Sequence, residues 1–259
     1  MITAGVDVGS LATKVVVLRD GQMLSWSAGA TGESSNDTAR RLLDDALLKA
    51  GIASADVSYI ISTGAGKKEV SFTHGQVTEV ICDAKGALFL YPAARGVLDL
   101  GAESTRAVKL DERGKVVDFA LNDKCAAGTG IFLDSMAKVM GVDLGSIGQM
   151  SLLSTQEVNI TSTCVVFAES EVVSQVHRQT PKVDILKGIH KSIASRVYGM
   201  VSRIGLGQHT VVVGGLARNI GVVACLEEMM KQKLIVPDNP HIVPALGAAI
   251  IAAERAGAQ

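Results

Sequence analysis

Asp7-Val8-Gly9-Ser10-Leu11-Ala12-Thr13-Lys14 stands near the start of the chain, and Asp99-Leu100-Gly101-Ala102-Glu103-Ser104 answers it 92 residues later. Each stretch follows an apolar run and precedes another, so each predicts two strands joined by an Asp-x-Gly turn. Around the first, Ala4 to Leu18 reads as two apolar strands, and Asp20-Gly21 turns the chain into a third through Met23 to Ser27. Around the second, Ala94 to Leu100 and Thr105 to Leu110 read as strands. The charged turn Asp111-Glu112-Arg113-Gly114 then leads to a return strand, Lys115 to Leu121. The order strand, Asp-x-Gly turn, strand, polar turn, strand therefore occurs twice. Such repetition predicts a duplicated α/β unit.

Between and beyond these hairpins the apolar spacing changes to that of helices. Asp37 to Ala50 carries Leu42, Leu43, Ala46, Leu47 and Ala50 at helical intervals, and Gly51 stops it. Val57 to Ser62 predicts a strand ending in Thr63-Gly64-Ala65-Gly66; a short strand, Val77 to Ile81, and a helix, Asp83 to Phe89, follow. Past Leu121 the spacing predicts helices over Gly130 to Met140, Val165 to Arg178 and Val183 to Ile204. The last presents Leu186, Ile189, Ile193, Val197, Val201 and Ile204 as one stripe, fit for core or subunit contact. Thr210 to Val213 reads as a buried strand running into Gly214-Gly215, with helices over Val222 to Gln232 and Ala245 to Ala256 after it. No low-complexity linker intervenes. The expected division is lobe I over 1–94, to which 245–259 returns, and lobe II over 95–244, with a cleft between them.

Composition agrees with an α/β fold: 47% of the 259 residues are hydrophobic, only 3% are aromatic, and glycine numbers 27. With 25 basic and 26 acidic residues, the net charge of −1 gives no reason to expect nucleic acid or an anionic membrane as a partner. The start lacks a basic segment followed by an apolar one, so no signal peptide is expected. Ile242 to Ala253 is too short to span a bilayer and contains Pro244. These features predict a cytoplasmic protein. In that compartment Cys82, Cys125, Cys164 and Cys225 are expected as reduced thiols, metal ligands or core residues.

The Asp-x-Gly turns suit phosphate chemistry. Glycine admits a phosphate close to the backbone, and successive amides in such a turn make an anion-binding concavity. Asp7 at the strand's end can hold hydrated Mg²⁺, while Ser10, Thr13 and Lys14 add donors. A single such turn is equally an ordinary hairpin. Two copies, with Gly214-Gly215 behind a third strand, supply sites for β-phosphate, γ-phosphate and nucleoside. The arrangement resembles the actin, hexokinase and heat-shock chaperone superfamily of ATPases over nearly the whole chain. By that likeness, Asp7 to Ser10 (with Gly9) is the first phosphate loop and Asp99 to Glu103 (with Gly101 and Ala102) the second. Val213 to Ala217, including Gly214 and Gly215 and followed by Asn219, is the adenosine loop; Ala245-Leu246-Gly247-Ala248-Ala249 matches a small-residue helix that packs closely between lobes. No Walker loop is present, which argues against a P-loop enzyme.

Two further segments are dense in polar residues: Asn122-Asp123-Lys124-Cys125-Ala126-Ala127-Gly128-Thr129-Gly130, and Thr161-Ser162-Thr163-Cys164 running on to Glu171. Each cysteine stands just before or at a predicted helix start, where free amides and the helix dipole favour thiolate. The 38 residues between them match no Cys-x-x-Cys metal signature, and two small buried apolar residues would read the same. With Asp7 to Lys14 ahead of them, however, these segments resemble the activator proteins of 2-hydroxyacyl-CoA dehydratases and the related ATPase subunits of benzoyl-CoA reductase. The resemblance implies that Cys125 and Cys164 are ligands of a 4Fe-4S cluster shared between two subunits of a homodimer or heterodimer. It implies ATP/ADP and Mg²⁺ as cofactors, a ferredoxin or flavodoxin as electron donor, and a CoA-thioester reductase or dehydratase component as acceptor. Gly128, Thr129 and Gly130 would then join phosphate to cluster, while Cys82 and Cys225, outside these motifs, are expected in the core.

The second phosphate loop departs from the pattern Asp-x-Gly-Gly-Gln-Asp, placing Ala102, Glu103 and Ser104 there. Glu103 would orient the attacking water or help hold Mg²⁺, unless it is a solvated loop residue. With Thr63 to Lys68, this form looks closer to the reductase subunits than to the activators. His74, His177, His190, His209 and His241 lack ligand spacing. Rival readings are a sugar or acyl kinase of the same superfamily without a cluster, and a slow nucleotide-sensing module.

Overall fold

A computed structural model describes residues 1–161 and 164–258 as two compact units. The first comprises Met1–Val97, Leu110–Val117 and Pro237–Gln259, and the second Leu98–Lys109 and Asp118–Val236.

The first unit is built on β1 (Ile2–Val8), β2 (Ala12–Arg19), β3 (Gln22–Ala30), β4 (Val57–Thr63) and β5 (Gly75–Gln76), with α1 (Ser35–Ala50) and α2 (Glu79–Leu90). The sheet order is β3-β2-β1-β4-β5. β1 runs antiparallel to β2 and parallel to β4, and the second pairing sets Asp7 opposite Thr63. Because β1 and β2 are buried on both faces, their sequences are nearly unbroken apolar runs. Ala4, Val6, Val15 and Val17 pack against Leu42, Leu43, Ala46 and Leu47 of α1. On the other face Val16 and Leu18 meet Ala245, Leu246 and Ala249 of the last helix, α8 (Val243–Ala256). Each such Leu or Val contributes roughly 1.5–3 kcal/mol of burial. The small residues of α8 permit an unusually close approach: a methyl group on Gly5 would collide with the Ala245 carbonyl oxygen, and one on Gly247 with that of Cys82.

One predicted element is replaced. Val77 to Ile81 is not a strand: β5 pairs with β4 just before it, and α2 begins at Glu79 with Thr78 at its cap. Cys82, Ala84 and Ala87, with Asp83 and Gly86, fill the buried side of that helix, so the helical period extends four residues further back than the sequence suggests.

The second sheet, whose strands lie mostly in the second unit, has β6 (Gly96–Leu100), β7 (Thr105–Leu110), β8 (Val116–Asn122) and β9 (Thr210–Val213) in the order β8-β7-β6-β9. Around them lie α3 (Gly130–Met140), the short α4 (Ile147–Ser151), α5 (Val165–His177), α6 (Lys182–Ile204) and α7 (Ile220–Met230). The order of the second sheet matches β3-β2-β1-β4 of the first, with the aspartate-bearing strand in the same place. The α6 stripe from Leu186 to Ile204 is core, packed with Phe132, Leu133 and Met136 of α3. No described helix is long and apolar enough to cross a membrane.

Candidate functional site

In the first unit the turn after β1 is closed by the Gly9 amide, which donates to the Ala12 carbonyl at 3.1 Å. Asp7 is 6% exposed, and its Oδ2 receives Lys14 Nζ at 3.0 Å. Thr13 is fully buried, its hydroxyl 3.0 Å from that of Thr31, which in turn donates to the Gly9 carbonyl at 2.7 Å. The Thr13 hydroxyl therefore supports the turn from behind. Ser10 is exposed at its tip. After β4, Gly64 adopts φ +91°, and a methyl group there would lie 2.6 Å from Asp7 Oδ1 and collide with the Val8 carbonyl oxygen. Only glycine lets this second turn lie flat on the first.

The second unit repeats the device. Asp99 is 2% exposed, and Arg106 donates from Nη2 to Asp99 Oδ2 and from Nη1 to Ser104 Oγ at 2.9 Å. The Gly101 amide closes the turn on the Ser104 carbonyl at 2.9 Å. Gly214, following β9, has φ +88°; a methyl group there would collide with Asp99 Oδ1. Gly215 has open space around it, whereas Ala217 is buried. Asn219 caps α7 by accepting from the Val222 amide at 3.0 Å, and its Oδ1 lies 3.0 Å from His190 Nε2. Glu103 is exposed and pairs with none of the described residues.

The cysteine loops differ in how they are held. Asn122 donates its side-chain amide to the carbonyls of Cys125 at 3.0 Å and Ala127 at 2.9 Å. Thr129 donates to the Ala126 carbonyl. The Gly130 amide then bonds to the Gly101 carbonyl at 3.0 Å and the Ile131 amide to that of Ala102 at 2.9 Å. Gly128, Thr129 and Gly130 thus form a joint between the Asp99 turn and the Cys125 loop. Cys164 is the exposed N-cap residue of α5; Ser162 and Thr163, just before it, lie outside the described residues. Glu171 ties down the approach to that segment, accepting from the Thr161 amide at 2.7 Å and its hydroxyl at 2.8 Å.

Exposure divides the four thiols. Cys82 and Cys225 are fully buried core residues, as expected, and burial raises both pKa values, that of Cys82 to about 12. Cys125 is half-buried and Cys164 exposed. Among the described residues no three His, Cys, Asp or Glu side chains gather as a metal site. Two accessible thiols per chain fit a cluster only if another chain supplies the remaining ligands.

Sequence reasoning passed over Thr31 and Arg106, which hold the turns, and Thr105 and Asn122, which hold the Cys125 loop. Arg106 was findable, since it occupies the place in the second repeat that Lys14 has in the first. It also passed over the polar side of α6. There Lys191, Ser195 and Arg196, with Asn122, Gly128 and Thr161, help line a cavity of about 720 Å³ in the second unit. Lys191 pairs with Glu157 at 2.6 Å, while Arg196 pairs with no carboxylate among the described residues, so the wall offers a guanidinium to an anionic ligand.

Comparison with known proteins agrees with this geometry. A solved activator of 2-hydroxyisocaproyl-CoA dehydratase from Clostridium difficile, with bound ADPNP, is 40% identical with a TM-score of 0.94, covering 100% of this chain and 96% of that one. A benzoyl-CoA reductase component of Thauera aromatica is 36% identical over 98% of this chain and 94% of that protein. Identity thus leans towards the activator, against the expectation drawn from the Ala102-Glu103 loop. A ROK family glucokinase from Streptomyces griseus, with glucose and AMPPNP, is 13% identical with a TM-score of 0.58 over 98% of this chain and 100% of that one, and shares the fold alone. The fold is the duplicated actin-like ATPase fold. Residues 4–252 match the BadF/BadG/BcrA/BcrD ATPase family, and the chain belongs to it.

Proposed function

We propose that this protein hydrolyses ATP to deliver a low-potential electron from a 4Fe-4S cluster, shared between two subunits, to a partner that acts on a CoA thioester. The carrying observation is the joint at Gly101–Gly130, which bonds the Asp99 turn to the loop of an accessible cysteine. The functions of the relatives support a dehydratase or reductase component as that partner, and the ADPNP bound to one of them supports ATP as the nucleotide. The dimer is a homodimer or a heterodimer with a related ATPase subunit, reduced by a ferredoxin or flavodoxin.

The turns at Gly9–Ser10 and Gly101–Ala102, each closed by its glycine amide, would take the phosphates, and Gly214, Gly215 and Ala217, with Asn219 behind them, would shape the nucleoside end. Asp7 and Asp99 are held by Lys14 and Arg106, and are the carboxylates that would hold hydrated Mg²⁺. Exposed Glu103 would orient the attacking water. Cys125 and Cys164 would hold the cluster, which supplies one-electron chemistry when bound. Cys164, at the cap of α5, would bring that helix's positive end to the cluster's negative charge.

Anaerobic purification, iron and sulfide analysis, and electron paramagnetic resonance with ATP or ADP test the reading. About one 4Fe-4S cluster per two chains, with a nucleotide-dependent signal, is expected. A colourless protein that phosphorylates a sugar or acyl acid would refute it.

A further inference from the structure

We propose that Thr105 is the positioning residue through which the state of the Asp99 turn is imposed on the Cys125 loop. The proposal rests on the reading above that this turn takes nucleotide phosphate. Thr105 opens β7 directly after the turn, is fully buried, and donates from Oγ1 to the Gly128 carbonyl at 2.8 Å. Two backbone bonds run beside it, from the Gly130 amide to Gly101 and from the Ile131 amide to Ala102.

From Gly128 back to Cys125 every carbonyl is engaged. Gly128 accepts from Thr105, Ala127 and Cys125 from Asn122, and Ala126 from Thr129. A segment bonded at each peptide resists bending in the middle. A displacement of residues 101–105 therefore reaches Cys125 as a movement of the whole loop rather than being absorbed on the way. Of the three bonds across the joint among the described residues, two are backbone to backbone and survive any substitution but proline. The Thr105 hydroxyl alone is under the control of a side chain. Gly128, at φ +86°, is the residue about which the loop would otherwise pivot, and Thr105 fixes its carbonyl.

Were Thr105 merely packed in the core, valine would replace it without consequence for Cys125, since the two side chains share a shape. The test uses the full chain without its cluster, kept anaerobic, and follows alkylation of each cysteine by iodoacetamide with peptide-resolved mass spectrometry. Buried Cys82 and Cys225 serve as internal references. Binding of ADPNP and ADP is measured separately by calorimetry.

In the native chain the Cys125 rate is expected to differ between ADPNP and ADP by about fivefold or more, the lower end of ordinary coupling between sites. Thr105→Val should bring that ratio to about one while ADPNP affinity stays within about twofold, and Thr105→Ser should restore it. A valine variant that keeps the ratio, a serine variant that loses it, or a native chain that binds nucleotide without any change at Cys125 overturns the proposal. A native chain that binds no nucleotide overturns the ATPase reading and the proposal with it. Should the valine variant not fold, hydrogen exchange of the native chain decides. Nucleotide-dependent protection shared by 101–105 and 128–131 supports the coupling, and protection confined to 101–105 refutes it.

Discussion

Arg106 reaches back seven residues to pair with Asp99, as Lys14 does with Asp7 in the first unit. In the second unit the cation also bonds Ser104, so one guanidinium fixes both ends of the turn. Arg106→Ala would leave a carboxylate that is 2% exposed without its partner, and should lower stability by about 3 kcal/mol in urea unfolding. Arg106→Lys should recover only part of this, because an ammonium is a single point charge and cannot span Asp99 and Ser104 together. An alanine variant as stable as the native protein would show that the pair is dispensable.

Gly214 and Gly215 are adjacent and should behave oppositely. Gly214→Ala forces a methyl group against Asp99 and Leu100 at positive φ, and should cost about 3 kcal/mol or more together with nucleotide affinity. Gly215 sits at φ −66° with nothing near it, so Gly215→Ala should stay within about 0.5 kcal/mol. Thermal unfolding of the two variants, with and without ADPNP, makes the comparison. Gly64→Ala should follow Gly214→Ala.

Cys125→Ser and Cys164→Ser should each lose iron and sulfide on anaerobic reconstitution while still binding nucleotide. Cys82→Ala and Cys225→Ala should keep both, since these thiols lie in the core. Iron retained at native level in either of the first two variants would remove that residue from the ligand set.

His190 gives a pH dependence whose sign is fixed by its surroundings. Burial lowers its pKa below 6.5, outweighing the hydrogen bonds to Leu186 and Asn219. The unfolded chain therefore binds the proton more readily. Stability is complete above pH 6.5 and declines as pH falls towards the lowered value, by at most about 1.4 kcal/mol per pH unit. His190→Gln should flatten that part of the profile in denaturant titrations from pH 7.5 to 5. An unchanged slope would assign the acid sensitivity to other groups.

Most of this architecture was legible because burial writes itself into local spacing. The runs Val15 to Leu18 and Val211 to Val213 are strands buried on both faces, and Leu186 to Ile204 repeats at the helical interval. Residues 77–81 misled because Val77, Val80 and Ile81 favour strands, while the chain follows the cap at Thr78 and the packing of Cys82, Gly86 and Ala87. At the site, the turns could be read because the Asp-x-Gly pattern recurs at Asp99, again between two apolar runs. Thr31 and Thr105 could not, since each acts on a distant stretch of chain through one hydroxyl, nor could Asn122, whose amide acts inside an irregular loop. Nothing in the local sequence marks such a partner.

The close packing of α8 on β1 sets an order of events during synthesis. β1 ends at Val8, whereas the helix covering its second face begins at Val243. At ordinary ribosomal rates of about 5–20 residues per second, the first strand waits on the order of tens of seconds for that cover. Through this interval Val16, Leu18 and the backbone around Gly5 remain open, while the second unit is already complete in sequence by Val236. β1 and β2 precede the second unit yet are covered after it, and their apolar face is the one a chaperone would meet.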